Sequence, residues 1–164
     1  MILPKVLPEG VQYHLIKHEG KQDLEKSLPR KLRAITHDAR FIVVRDQDSA
    51  DCYEIKKRLC DICSFSGRTD TVVRIVCHEM ESWFLGDLQA VEKAYNIGGL
   101  SRRQQQRKYR NPDGLNNAAQ ELKKLVPGYQ KISGARTIGQ HMDINRNCSA
   151  SFRVFLEGVY KALG

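Results

Sequence analysis

Two kinds of apolar spacing alternate along the first half of the chain. Phe41-Ile42-Val43-Val44 is a short, unbroken and largely β-branched run. Such runs suit a central parallel strand covered on both faces. Thr71 to Cys77 reads as another strand of that kind. Between them Ile55, Leu59 and Ile62 recur at helical spacing, which predicts a helix from about Asp51 to Cys63, stopped by Ser66-Gly67. Upstream, Leu24, Leu28, Leu32 and Ile35 form one stripe and predict a helix over Asp23 to Ile35. Pro29 sits inside that stripe and predicts a kink or a late start. Earlier still, Val11-Gln12-Tyr13-His14-Leu15-Ile16 alternates apolar and polar positions and then turns apolar, which predicts a strand ending near His18 and broken at Gly20.

With Glu79 to Ala94 reading as largely helical, the order is β-α-β-α-β-α. That order predicts an α/β fold with a mostly parallel sheet and right-handed crossovers. The second half changes character. Leu100 to Asp113 is polar and basic and reads as an exposed loop, and Leu115 to Val126, Ser133 to His141 and Ser149 to Leu163 read as helices. No repeat or linker divides the chain, so residues 1–164 are expected to form a single domain with a helical C-terminal part.

Composition supports a folded domain. Apolar residues make up 41% of the 164 positions, enough for a real core. Lysine and arginine number 27 against 19 acidic residues, a net charge of +8 that favours polyanionic partners such as nucleic acid. No stretch is long and apolar enough to span a membrane, and the start Met1-Ile2-Leu3-Pro4-Lys5 lacks the pattern of a signal peptide. Five cysteines without regular spacing argue against a disulfide framework and for a reducing cytoplasm. Cys60 and Cys63 make a single C-x-x-C pair with Cys52 on the same helical face, which reads as buried structure in preference to a zinc site.

Chemistry concentrates where the strands end. In parallel α/β sheets, ligands bind beyond the carboxyl ends of the strands. Asp46-Gln47-Asp48 follows the first apolar run, and two carboxylates one residue apart can converge on one ion past the bend. Mg²⁺ takes oxygen ligands and keeps several waters, so one or two carboxylates plus a substrate phosphate suffice. Asp51 could join them or cap the following helix, and helix capping is the bland alternative for the whole loop. The next strand runs into His78-Glu79-Met80-Glu81, placing Glu79 and Glu81 at the same edge. They could complete a metal shell or act as general base, as in two-metal phosphoryl-transfer sites, with His78 as proton shuttle or ligand. Their alternative is a helix N-terminus, which favours Glu through its dipole. Arg102, Arg103, Arg107 and Lys108 lie in a run without acidic residues and could grip phosphates, or form a solvated loop. Ser133-Gly134-Ala135-Arg136 is a weak candidate anion cradle at a helix start.

The words around these residues, from Phe41 to Asp48 and from Arg74 to Leu85, resemble a bacterial domain-of-unknown-function family. Gly20-Lys21-Gln22-Asp23-Leu24, Arg110-Asn111-Pro112-Asp113 and Glu121 to Tyr129 extend the resemblance over nearly the whole chain. The family looks like a branch of the Toprim (topoisomerase–primase) superfamily, similar to RloB-like and OLD-like anti-phage proteins. The resemblance implies a three-layer Toprim-like, Rossmann-like sheet and binding of Mg²⁺ or Mn²⁺ by Asp46 and Asp48. It also implies nuclease or other phosphoryl-transfer chemistry on nucleic acid, with an ATPase or other defence-complex partner, or a second copy, as associates. A Toprim site also uses a Glu after its first strand. His18-Glu19-Gly20-Lys21 looks like that turn, which makes Glu19 a candidate. The family-wide match instead implies that this strand is the second, that Met1 to Pro8 is the tail of a preceding helix, and that the first strand and its Glu lie upstream. Two readings therefore stand: a Mg²⁺-dependent, nuclease-like enzyme, and a catalytically degenerate binding or partner module.

Overall fold

The two β-branched runs form the sheet. In the computed structural model, which describes residues 2–164, β1 (Ile42–Asp46) and β2 (Val72–Val76) pair in parallel, with Ile42 opposite Val72 and Asp46 opposite Val76. Alternation along a strand sends successive side chains to opposite faces. Val43 and Val73 meet Leu24, Leu28 and Leu32 of α1 (Lys21–Ala34) and Ile55, Leu59 and Cys63 of α2 (Cys52–Phe65). Ile42, Val44 and Val76 join the larger core, with Trp83 and with Phe152, Phe155 and Val159 of α8 (Ala150–Leu163). Trp83 and Phe152 meet edge to face at 5.3 Å between ring centroids. Gly158 lets α8 lie close to β2: a Cβ there would fall 2.6 Å from Arg74 Nε and 3.0 Å from Val72 Cγ1.

The sheet has two strands among the described residues, not the three that the alternation predicted. Val11 to Ile16 belongs to no strand. Its alternation encodes an extended backbone, but a strand also needs a partner ladder and a covered face. The Val11 amide bonds locally to Pro8 O, and Leu15 and Ile16 are 63% and 48% exposed. Residues Leu3–Lys5 form a 3-10 turn where the resemblance implied the tail of a helix; Met1 lies outside the described residues.

Helix α1 neither starts late nor stops at Pro29; it runs through it, from Lys21 to Ala34. The predicted helix over Glu79 to Ala94 is two helices, α3 (Glu81–Leu85) and α4 (Leu88–Tyr95), divided at Gly86-Asp87. Leu100 to Asp113 is not a plain exposed loop. It holds a 3-10 turn (Ser101–Gln105), the single turn α5 (Arg107–Arg110) and a further 3-10 turn (Pro112–Gly114), with Tyr109 and Pro112 buried. Gln104 pins it down. Its Nε2 donates to the carbonyls of Leu85 (3.1 Å) and Tyr109 (2.7 Å), and its Oε1 accepts from the Leu88 amide (2.7 Å). Helices α6 (Ala118–Leu125) and α7 (Lys131–His141) complete the helical C-terminal half, packing on α3 and α4 respectively. No helix among the described residues is long and apolar enough to cross a membrane.

Candidate functional site

Both strands end at one rim, and their following loops are tied together there. Gln47 N donates to Val76 O and Asp48 N to His78 O, each at 2.9 Å. His78 Nδ1 lies 3.1 Å from Asp48 O, and the His78 amide donates to Gln47 Oε1 at 3.4 Å. Asp48 and His78 both adopt left-handed backbone, at φ 55° and 56°. That conformation costs a non-glycine residue about 1–2 kcal/mol and persists only where the surroundings impose it.

Asp46 is the last residue of β1. Its Oδ1 is buried and has no hydrogen-bond partner among the described residues. Its carboxyl is pushed up to about 6 from the usual carboxylate range. Burial is the main cause, followed by the negative charge of Glu81; Lys131 opposes the shift, and Asp48 and Glu79 add to it.

Glu81 opens α3 and is buried, with 3% of its surface exposed. Two groups from the α6–α7 connection reach its Oε1: Tyr129 Oη donates at 3.3 Å and Lys131 Nζ lies at 3.6 Å. Burial and the neighbouring Glu81 both push the Tyr129 hydroxyl up, so it stays a proton donor. Glu79 is partly engaged elsewhere, because its Oε2 accepts the Ala119 amide at 2.8 Å. That bond caps α6, whose own N-cap residue Asn117 supplies no side-chain bond. Asp48 is half exposed, and its Oδ2 lies 3.4 Å from Lys21 Nζ, a solvent-screened pair of small energetic weight. Asp51 is a helix cap: its Oδ1 accepts from the amides of Tyr53 (2.8 Å) and Glu54 (3.0 Å).

The remaining candidates lie elsewhere. Glu19 is exposed on the turn before α1, its amide donating to Asp23 Oδ2 at 3.0 Å. Arg102, Arg103 and Arg107 are exposed on the 3-10 turn and α5. Lys108 has a structural partner, with Nζ 2.6 Å from Oε2 of the buried Glu121. Burial alone would push the Glu121 carboxyl up, but the ion pair with Lys108 and the bond from Tyr109 Oη (2.8 Å) outweigh it and hold the carboxyl below its usual range. Burial in turn drives the Tyr109 hydroxyl up to about 12, with Glu121 adding to the shift. Tyr109 is thus the anchor of its segment. Cys63 is buried in the α1–α2 core, and all five cysteines are free.

Sequence reasoning missed Tyr129 and Lys131, the two groups that engage Glu81. Nothing in their spacing marks them, since they reach Glu81 only through the packing of α6 and α7 on α3.

No group of three or more His, Cys, Asp or Glu side chains among the described residues is placed to hold a metal ion. What does fit is narrower. A hard divalent cation bound through one or two carboxylates, with water and phosphate oxygens completing its shell, matches an orphaned buried carboxylate oxygen beside a second buried carboxylate.

Mixed α/β architecture around a small two-stranded parallel sheet, with Asp46 at its rim under the charge of Glu81, Asp48 and Glu79, defines the class of protein. The chain belongs to the family described as Domain of unknown function (DUF4276), whose model matches residues 1–159. No curated protein and no solved structure matches it.

Proposed function

We propose that this chain is a divalent-cation-dependent phosphoryl-transfer protein that acts on nucleic acid at the rim built by Asp46, Asp48, Glu79 and Glu81. The supporting observation is the state of Asp46. A half-buried carboxylate with an unpartnered buried oxygen, pressed by like charge, has the chemistry of a cation ligand. Bound there, Mg²⁺ or Mn²⁺ would neutralise the charge that develops on a phosphoryl group in transit. Asp46 would supply the inner oxygen ligand, with Glu81 beside it. Lys131 would hold a phosphate oxygen, and Tyr129 would keep Glu81 oriented. The net charge of +8 favours a polyanionic substrate. A role in phage defence is part of the same proposal and rests on the family resemblance alone.

The test is cleavage of labelled single- and double-stranded oligonucleotides with Mg²⁺ or Mn²⁺. Asp46→Asn and Glu81→Gln should each lower the rate at least about a hundredfold, as removal of a group that stabilises transition-state charge does. Activity untouched by both substitutions sinks the proposal.

A second reading, a binding module without chemistry, is favoured by one specific arrangement. Glu81 and Glu79 already have protein partners in Lys131 and the Ala119 amide. Titration calorimetry with Mn²⁺ separates the two readings, because the module would take up no cation that Asp46→Asn abolishes.

A further inference from the structure

The connection that reaches Glu81 also forms a groove. About 450 Å³ of open space lies along the end of α6 and the start of α7, lined by Lys123, Tyr129, Lys131, Ile132, Ser133 and Arg136 among others. Three of these carry positive charge, and none of the lining side chains is acidic. Lys123 and Arg136 are exposed and pair with no carboxylate among the described residues, whereas Lys108 in the other basic run is committed to Glu121. Ile132 stands 66% exposed beside the cations, an apolar side chain of a size suited to a nucleobase face. The wall is firmly built. Tyr129 is buried, and Gly134 packs so tightly that a Cβ would fall 2.3 Å from the Tyr129 ring and 2.8 Å from Tyr95 Oη. Lys131 belongs to both places, as a groove residue and as the cation beside Glu81.

We infer that this groove holds the phosphodiester backbone of single-stranded nucleic acid, gripped by Lys123, Lys131 and Arg136, and that the backbone draws Lys131 away from Glu81. Two unpaired cations and a third with a weak 3.6 Å partner present charge to successive phosphates, while Ile132 offers the bases an apolar contact. Transfer of Lys131 to a phosphate leaves Glu81 with Tyr129 alone and makes the rim more negative at the moment substrate arrives. The inference deepens the proposed function by placing its substrate. Its test contains no metal, so a failure to cleave and a failure to bind are separate outcomes.

The experiment is fluorescence anisotropy of a short labelled single-stranded oligonucleotide with the full chain in EDTA, across a salt series. Lys123→Gln, Lys131→Gln and Arg136→Gln should each weaken binding roughly three- to tenfold at low salt and reduce the salt slope by about one. Lys131→Arg should retain affinity. The double substitution of Arg102 and Arg103 by Gln should change it little. Glu81→Gln should tighten binding a few-fold, since Lys131 no longer has a competing partner. Groove variants that bind like the parent chain overturn the inference. So does loss of binding in the Arg102/Arg103 variant alone, or competition by inorganic phosphate at the concentrations where the oligonucleotide itself competes. Unchanged affinity in Glu81→Gln overturns the sharing of Lys131.

Discussion

Two aspartates in this protein, one buried and one half-buried, have opposite surroundings. Asp87, between α3 and α4, is wholly enclosed and wholly satisfied. Arg146 Nε and Nη2 donate to its two oxygens at 2.8 and 2.9 Å, and the amides of Ala90 (3.1 Å) and Asp143 (2.9 Å) supply further bonds. Asp46, at the end of β1, has a buried oxygen without a partner and three carboxylates acting on its charge. A buried carboxylate that the fold uses for its own stability is surrounded by donors. One that the fold leaves among like charges at a strand end is held at a cost, and such sites are where ligands bind. Asp113 repeats the first pattern, accepting from Ser82, Ser149 and Ser151.

The largest expected effect tests the structural member of the pair. Asp87→Ala leaves the Ala90 and Asp143 amides without their acceptor and leaves the Arg146 guanidinium with Asp143 as its remaining carboxylate partner. Removing one partner of such a network costs about 3–5 kcal/mol. For a chain of this length that lowers Tm by roughly 6–20 °C. A loss under about 1 kcal/mol in urea denaturation would erase the contrast between the two aspartates.

Asp46→Asn should act in the opposite direction. Because the folded-state carboxyl is raised from 3.8 to about 6, folding favours its protonated form. Its contribution to stability is therefore full below the unfolded value and is lost as pH rises from about 4 through about 6. Asparagine removes that loss. Allowing for partial exposure, the variant should be more stable than the parent by about 1–3 kcal/mol at pH 8 and nearly equal to it at pH 4. Thermal melts across that range, repeated with Mn²⁺, read both halves of the claim. The cation should raise Tm of the parent, by about 1.4 kcal/mol of stability at ten times its Kd, and leave the variant unmoved. A variant destabilised at pH 8 would mean that Asp46 makes a favourable contact in the fold and is structural after all.

The legibility of these features differs with their physical origin. β1, β2 and α2 could be read directly, because β-branched runs and a 3.6-residue stripe are local properties of the chain. Helix α1 was also readable, and Pro29 did not delay its start: one missing amide inside a helix is tolerated when Leu24, Leu28 and Leu32 are buried on the same face. The Val11–Ile16 segment misled because alternation reports an extended backbone and says nothing of a partner strand. Asp46 was legible as the position where a parallel strand ends. Its missing hydrogen bond was not, because that is a property of the folded surroundings, and neither was the arrival of Lys131 beside Glu81, which depends on how α6 and α7 pack. The basic run from Arg102 to Lys108 looked uniform in sequence. Its last lysine serves the buried Glu121, a role that only the fold assigns.

The smallest effect asks whether strain also separates the two places. His78 sits at φ 56° beside Asp48 at φ 55°, while Asp87 has ordinary backbone at φ −140°. A β-branched side chain fits the left-handed region poorly, whereas asparagine enters it readily. His78→Val should therefore cost about 1–2 kcal/mol, combining backbone strain with loss of the Nδ1 contact to Asp48 O. His78→Asn keeps a short polar group and the allowed backbone, and should stay within about 0.5 kcal/mol of the parent. Equal stability of the two variants in denaturant melts would mean that the rim relaxes freely. The clasp between the strand-end loops would then not be what keeps Asp46 among its like-charged neighbours.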